Sequence, residues 1–421
     1  MGVWRLYRAP VRLEETIDRC RIERLSFGDG KTNRVMKGSP MDIYRALGVE
    51  PIINAGGSLT RLSGSVMHPE VVDVMAAASR KFVDMPELHA AAGQRVADLI
   101  GVEAAHVCAC ATAGIAIMAA AVMAGTDRQR VRQLPDTVGM ANRFVTLKSH
   151  RNPFDQALRI SGGVFVEVDP GPDAIAAALR EEGVAGLFYT FSWFNTGEAP
   201  DLPAIIALAH ATGVPVIVDA AAEVPPLSHL QLFVEQGADL VTFSGGKAIC
   251  GPQASGFILG RADLVAACAA NDSPNMSVAR GMKAGKEEIC GLVKAVELYV
   301  ERDHETDQAV WEGRVVHILS ALDGLVGIKA WRQLPFGLGQ QIPHVALRWR
   351  TEDLNGHSCQ DVAAALKAGS PRIACQVIEG SVYTFARERD VELRFHVHTL
   401  GAGEEEIVAQ QLRAVLAAHC A

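Results

Sequence analysis

Short hydrophobic runs alternate with helical patterns through the middle of the chain. The predicted strands are residues 106–110, 143–147, 163–168, 185–191, 214–220, 238–245 and 255–260. Helical spacing of apolar residues predicts helices at 172–182, 202–212 and 227–236, and one long helix at 286–303. Short apolar strands alternating with helices indicate an α/β layer with a mostly parallel sheet.

The uncharged stretch 107–125 approaches the length of a membrane span. It is rich in Ala and Gly rather than Leu, with Thr112 and Gly114 near its start. A helix that is apolar on every side also occurs inside large cores. We therefore predict a buried helix preceded by a short strand, and a cytoplasmic protein without a membrane partner.

The pattern changes after about residue 305, where strands are clustered between two helices. A helix at 308–322 and a final helix at 404–418 enclose predicted strands at 327–332, 344–350, 371–378, 381–386 and 391–397. This arrangement predicts a smaller α+β domain. The expected division is an N-terminal extension (1–40), a large domain (41–305) and a small C-terminal domain (306–421).

Composition places the 421-residue chain among soluble globular proteins. Hydrophobic residues make up 49%, and 40 Lys and Arg against 48 Asp and Glu give a net charge of −8. The pI near 5.9 argues against a nucleic-acid partner. Nine scattered cysteines without a C-x-x-C pair indicate reduced thiols, with neither a disulfide scaffold nor a metal site.

Two charged residues follow successive predicted strands. Asp219 ends the strand 214–220, and Lys247 lies in a Gly-rich turn after the strand 238–245. In an open α/β sheet, ligands bind beyond the carboxyl ends of the strands, so both side chains should face one crevice. A plain surface turn and a helix N-cap explain each residue singly. Together they favour a pyridoxal 5'-phosphate (PLP) site, with a Schiff-base lysine and an anionic partner for the pyridinium.

Small residues after the strand 106–110 provide a candidate phosphate site. Thr112, Ala113 and Gly114 open the apolar helix, and N–H groups at a helix N-terminus bind phosphate. Many α/β turns are equally rich in Ala and Gly, so this signal alone is weak. Ser244 adds a hydroxyl to the same phosphate or caps its turn. His150, after the strand 143–147, either stacks on a cofactor, acts as an acid or base, or is a loop histidine.

Arg280, Lys283 and Lys286 form a cationic cluster directly before the long helix. Cations are unfavourable at a helix N-terminus, where the dipole favours anions. A solvated helix start is the alternative to an anion site. The position of the cluster favours a phosphate or carboxylate partner.

Five segments together resemble the selenocysteine synthase-like family of fold-type I PLP-dependent enzymes. They are residues 48–60, 68–75, 214–226, 243–256 and 280–289 (GVEPIINAGGSLT, HPEVVDVM, VPVIVDAAAEVPP, FSGGKAICGPQASG and RGMKAGKEEI). The resemblance covers residues 41–305 well and the C-terminal domain loosely. It implies an aspartate aminotransferase-like fold and a homo-oligomer with active sites at the subunit interface.

The resemblance also implies residue roles. Lys247 would form the Schiff base, Asp219 would pair with the pyridinium nitrogen, and His150 would occupy the ring-stacking position. The cofactor phosphate would bind at Thr112, Ala113, Gly114 and Ser244, with Ala221 also in the cofactor site, while Arg280, Lys283 and Lys286 would face the interface. Two departures stand out. Gln376 occupies a position where relatives tend to have arginine, so either Arg372 binds the substrate carboxylate or its recognition differs from that in relatives. The first 40 residues also differ from the tRNA-binding module of selenium transferases.

The leading hypothesis is a PLP-dependent lyase that eliminates a β-substituent from a small amino acid or amino sugar acid, with or without a phosphate group. The products would be ammonia and a keto acid. A racemase, epimerase, aldolase or transferase shares the first proton abstraction. A scaffold protein that has lost catalysis is disfavoured because Asp219 and Lys247 are both present.

Overall fold

The computed structural model describes residues 43–191, 201–335, 340–378 and 391–418. The chain divides into two compact units, residues 1–51 and 52–421. In the first unit the described residues contain the short helix α1 (Ile43–Ala46). The predicted extension 1–40 and the predicted strand 381–386 lie outside the described residues.

The second unit contains three sheets. The strands are β1 (Ile52–Asn54), β2 (Ala104–Cys108), β3 (Arg143–Leu147), β4 (Val164–Val168), β5 (Val184–Thr190), β6 (Val216–Asp219), β7 (Leu240–Ser244), β8 (Gly256–Gly260), β9 (Ile328–Gln333), β10 (His344–Trp349), β11 (Arg372–Ala374), β12 (Gln376–Ile378) and β13 (Glu392–His396).

The helices of this unit cover the sheets. They are α2 (Pro69–Ala78), α3 (Met85–Ile100), α4 (Ala111–Ala124), α5 (Arg128–Gln133), α6 (Gln156–Ile160), α7 (Pro172–Leu179), α8 (Leu202–His210), α9 (His229–Glu235), α10 (Ala262–Asn271), α11 (Lys286–Glu301), α12 (His304–Ala321), α13 (Cys359–Ala368) and α14 (Glu404–Ala417).

The seven-stranded central sheet has the order β2-β8-β7-β6-β5-β3-β4. Strand β8 is antiparallel to both β2 and β7, and the other pairs are parallel. Six strands therefore end at one edge of the sheet, as the alternating pattern predicted. The predicted strand 106–110 was two residues too late, because Cys110 caps the following helix and the strand already ends at Cys108.

Helix α4 confirms the buried-helix prediction for the stretch 107–125. Most of its residues are buried in a core that also contains Phe144 and Phe188. Gly114 allows close packing on β7, since a Cβ there would lie 2.2 Å from Thr242 Oγ1. Within the described residues, no helix is long and apolar enough to cross a membrane.

The smaller region combines a four-stranded antiparallel sheet, β12-β13-β10-β9, with helices α12, α13 and α14. Strand β1 pairs in parallel with β11, and Ile53 and Ala55 belong to the core of this region. An early segment thus packs with the C-terminal strands, although the sequence pattern assigned it to the large domain. The boundaries 41–305 and 306–421 stay a prediction.

Candidate active site

Asp219 and Lys247 lie at the carboxyl ends of the adjacent strands β6 and β7. Asp219 is the last residue of β6 and pairs in register with Thr242. Lys247 lies in a closed turn beyond β7, where its carbonyl accepts from Cys250 N at 2.9 Å and Gly251 N donates to Gly245 O at 2.8 Å. The turn holds the half-buried lysine over the strand edge.

Burial changes the proton affinity of both groups. The pKa of the Asp219 carboxyl rises to about 6 because the side chain is desolvated, although Lys247 and the N–H of Ala221 oppose the rise. Ala221 N donates to Asp219 Oδ1 at 3.1 Å. Desolvation lowers the pKa of Lys247, against the attraction of Asp219 and Glu223. A lysine with a lowered pKa has more of the neutral amine that attacks carbonyl groups.

The start of α4 reaches the same sheet edge. Cys110 caps the helix, with its thiol accepting from Ala113 N at 3.3 Å and its carbonyl accepting from Gly114 N at 2.8 Å. The predicted phosphate site comprises residues 112–114, but the N–H groups of Ala113 and Gly114 already have acceptors. The N–H groups of Ala111 and Thr112 belong to the first turn, which has no intrahelical acceptors.

The helix start is held close to the neighbouring strands by glycine. A Cβ on Gly256 of β8 would lie 2.7 Å from the carbonyl carbon of Cys110, so the backbone can approach there only without a side chain. Ser244 N donates to Ala221 O at 3.2 Å, which joins the ends of β6 and β7. The structure therefore brings the predicted phosphate residues to the edge that carries Asp219 and Lys247.

His150 follows β3 and is 3% exposed. Its ring meets Tyr189 edge to face, with centroids 4.4 Å apart, and its Nδ1 is buried without a hydrogen-bond partner among the described residues. Burial lowers the pKa of His150 to about 4, so the ring is neutral at physiological pH. Asn152 Nδ2 donates to His150 O and to Thr190 Oγ1, and Thr190 pairs with Asp219. This network links His150 to the sheet edge.

The three cations predicted to bind an anion differ in their exposure and pairing. Arg280 and Lys283 are exposed and precede α11, whereas Lys286 begins the helix and forms an ion pair with Glu287. The first turn of α11 also contains Glu287 and Glu288, which suit the helix dipole. Arg372 lies in β11, where Nε donates to Lys367 O at 3.1 Å.

Gln376 connects the small sheet to the loop after β1. Its Nε2 donates to Gly56 O at 2.8 Å, and its Oε1 lies 3.1 Å from His396 Nε2. The same loop reaches the lysine turn, because Gln253 Nε2 donates to Thr60 O at 3.0 Å. The amide at position 376 thus holds a loop that runs between the small sheet and the Lys247 turn.

Glu223 was missed by the sequence analysis. It lies four residues after Asp219, is 1% exposed and interacts electrostatically with both Asp219 and Lys247. The sequence contains a signal that could have identified it: Glu223 is the single charged residue among the small and apolar residues of the segment AAAEVPP, which follows the strand. Charged residues are almost never fully buried unless paired, so such a position indicates a site.

The comparisons with known proteins agree with this architecture. D-glucosaminate-6-phosphate ammonia lyase from Salmonella typhimurium is 33% identical over 388 residues, covering 90% of this chain and 99% of that protein. A solved structure of D-glucosaminate-6-phosphate ammonia-lyase matches with a TM-score of 0.75 and 32% identity, over 90% of this chain and 99% of that chain.

Other relatives have different names. A 5'-C-glycyluridine monooxygenase-decarboxylase from Streptomyces sp is 37% identical over 348 residues, covering 80% of this chain and 84% of that protein. The family model of L-seryl-tRNA selenium transferase matches residues 197–333. A serine palmitoyltransferase structure with PLP has a TM-score of 0.58 at 14% identity, over 87% of this chain and 88% of that chain, and shows the fold alone.

The fold and these matches define the class, a fold-type I PLP-dependent enzyme with a mostly parallel central sheet. Within that class, the chain belongs to the selenocysteine synthase-like family, which includes L-seryl-tRNA selenium transferase and D-glucosaminate-6-phosphate ammonia-lyase. The fold and the family expected from the sequence are thereby confirmed.

Proposed function

We propose that the protein is a PLP-dependent ammonia-lyase that acts on a phosphorylated amino sugar acid or a similar β-substituted amino acid. The observation that carries the proposal is the match to D-glucosaminate-6-phosphate ammonia lyase, which extends over 90% of this chain and 99% of that protein. The Asp219–Lys247 arrangement supports it, because an ammonia-lyase of this class needs a lysine amine and an anionic partner for the cofactor ring.

The described residues fit PLP. Asp219 presents a buried carboxylate at the strand edge, Lys247 presents an amine of lowered pKa, and the first turn of α4 has N–H groups suited to a phosphate. In the proposed arrangement Lys247 would hold the aldehyde carbon, Asp219 the ring nitrogen, and Thr112 and Ser244 the phosphate, with Ala221 and His150 beside the ring. When bound, the cofactor would supply an electron sink for a carbanion at the substrate α-carbon.

Lys247 is the proposed acid–base group. A neutral Nζ can take the α-proton of a bound amino acid and then, as a cation, give that proton to the departing β-oxygen. A hydroxyl leaving group thus leaves as water. Addition of one water to the enamine that remains gives a keto acid and ammonia. His150 holds no exchangeable imidazolium proton at neutral pH, so its proposed role is to pack against the ring.

A second candidate is an oxidative decarboxylase. The Streptomyces relative is named a monooxygenase-decarboxylase and is 37% identical over 80% of this chain. This reaction would consume O₂ and release CO₂, whereas the lyase would release ammonia and a keto acid without O₂. The two candidates therefore differ in measurable products.

The proposed substrate is a small molecule, and the proposed assembly is a homo-oligomer with active sites at the subunit interface. The exposed Arg280 and Lys283 provide cations for a substrate phosphate or an interface anion. Arg372 is a further candidate for a carboxylate. The pI near 5.9 supports a small substrate rather than tRNA, despite the match to a tRNA-dependent family member.

Lys247→Ala tests the cofactor assignment. After borohydride reduction and removal of free PLP by denaturation, the purified wild type should keep a covalently bound pyridoxyl group and the variant should not, because it lacks the amine that forms the Schiff base. Arg128→Ala removes an exposed cation on α5 and serves as the control. A pyridoxyl group that stays covalently bound to Lys247→Ala in the same amount as to wild type would refute the assignment.

The reaction is tested with D-glucosaminate 6-phosphate and the unphosphorylated acid. We expect equal amounts of ammonia and keto acid, no O₂ consumption, and higher kcat/KM for the phosphorylated substrate. Release of CO₂ with uptake of O₂ would instead support the oxidative decarboxylase. A product of inverted configuration without ammonia would contradict both and support a racemase or epimerase.

A further inference from the structure

Glu223 is a second buried carboxyl beside the lysine, and the proposed mechanism gives it no role. Its side chain is 1% exposed, and its Oε2 has no hydrogen-bond partner among the described residues. An unsatisfied buried carboxyl costs free energy, whereas an apolar side chain at the same position would pack without that cost. The position therefore needs an explanation other than packing.

The backbone around Glu223 is held in place on both sides. Glu223 N donates to Ala220 O at 3.2 Å, and His229 Nδ1 lies 2.6 Å from Glu223 O. Beyond it, Gln340 Nε2 donates to Val224 O at 2.9 Å. The backbone that carries Glu223 is thus held at the sheet edge by the turn after β6, by α9 and by the segment before β10.

Burial and two neighbouring charges together determine the pKa of Glu223. Lys247 lowers the pKa and Asp219 raises it, but desolvation dominates and brings the pKa of Glu223 to about 8. Among the described residues, His229 also packs against this segment; its ring contacts the backbone carbonyl of Glu223, and burial lowers its pKa. Glu223 therefore keeps its proton to higher pH than an exposed glutamate does, next to a lysine whose pKa is lowered by burial.

We propose that Glu223 is a positioning residue that acts through Lys247, by setting the protonation state of the lysine amine. Its ionised form stabilises the Lys247 cation, and its protonated form does not, so the two groups titrate as a coupled pair. Loss of the lysine charge favours protonation of Glu223, which retains a proton beside the amine. This inference rests on the proposed role of Lys247 as the cofactor lysine.

The test measures how fast the apoprotein takes up PLP as a function of pH. Uptake requires the neutral amine, so the midpoint of the rate profile reports the pKa of Lys247. Glu223→Gln has the shape of the protonated carboxyl but cannot ionise. We expect its midpoint to move to lower pH by about one unit, which is roughly a tenfold change in proton affinity. Glu235→Gln, an exposed substitution on α9, should leave the midpoint unchanged.

The unfolding midpoint of the apoprotein is the second measurement. The folded pKa of Glu223 lies above its unfolded value, so its ionisation destabilises the folded state increasingly as pH rises between the two values. The stability of Glu223→Gln relative to wild type should therefore increase with pH across that window. An unshifted PLP-uptake midpoint, or failure of Glu223→Gln to fold, would overturn the proposal.

Failure of the proposed function gives a different result. If neither the wild type nor Lys247→Ala keeps a pyridoxyl group after reduction, the assignment of Lys247 is wrong. If wild type and Glu223→Gln both keep it with the same pH profile of uptake while Lys247→Ala does not, Lys247 keeps its role and only the inference about Glu223 falls.

Discussion

Buried carboxyls lie at both ends of the neighbouring strands β6 and β7, but they differ in their hydrogen-bond partners. At the amino end, Asp239 is 1% exposed and accepts from Val216 N at 2.7 Å and Arg261 Nη1 at 2.7 Å, with His210 Nε2 at 2.8 Å. At the carboxyl end, Asp219 accepts from Ala221 N at 3.1 Å, and Glu223 Oε2 has no partner among the described residues.

This difference separates a structural carboxylate from those of a candidate site. Asp239 joins β6, α8 and the start of α10 through its three contacts, so donors of the protein itself stabilise its carboxylate. Asp219 and Glu223 have raised pKa values because the protein desolvates them without supplying enough donors. Such perturbed groups in one cluster indicate a functional site. The missing donors are expected from a ligand.

Asp219→Asn should give the largest effect on activity. Loss of the anion facing the cofactor ring should lower kcat/KM about 100- to 1,000-fold, comparable to loss of one preorganised electrostatic group in an active site. The apoprotein should not lose stability above pH 6, because the raised pKa means that ionisation of Asp219 destabilises the fold as pH rises from its unfolded pKa to about 6. Steady-state kinetics and apoprotein unfolding curves measure the two effects. Unchanged kcat/KM would remove Asp219 from the site.

Asp239→Asn should give the opposite pattern. Removing a charge that Arg261 and His210 contact should lower the free energy of unfolding by about 2 kcal/mol, since the carboxylate is buried while Arg261 is half exposed. The kcat/KM of correctly folded protein should stay within about twofold, because Asp239 lies at the opposite end of the strands. Denaturant unfolding and active-site titration separate the two quantities. A large fall in kcat/KM per active site would show that the two ends are coupled.

The sequence predicted which strands carry the site residues better than it predicted the hydrogen bonds and burial within the site. Asp219 and Lys247 were found because they are charged residues directly after apolar strands, and parallel strands place such residues at one edge. The donors already used by Cys110 could not be predicted, since they depend on the rotamer of a capping thiol. Glu223 was visible as a charge in an apolar segment, but its burial depends on tertiary packing.

The smaller region was predicted less completely. Helices α12 and α14 were both predicted from the helical spacing of their apolar residues. Helix α12 begins earlier than predicted, because Asp303 caps it and its Oδ1 accepts from Thr306 N at 3.0 Å. The pairing of β1 with β11 joins segments about 320 residues apart, and local pattern carries no information about such a partner.

His150→Phe should have the smallest effect and tests whether every unsatisfied group at the carboxyl end takes part in proton transfer. With a pKa of about 4, His150 stays neutral from pH 5 to 9, so a phenyl ring should replace its packing against Tyr189. We expect less than about a tenfold loss of kcat and an unchanged pH profile, whereas loss of a general acid or base typically lowers kcat about 100-fold or more. Tyr189→Phe, which keeps the ring contact, is the matched control. A pH profile that loses one limb in His150→Phe would assign proton transfer to His150, and the contrast between the strand ends would then extend to a third titrating group.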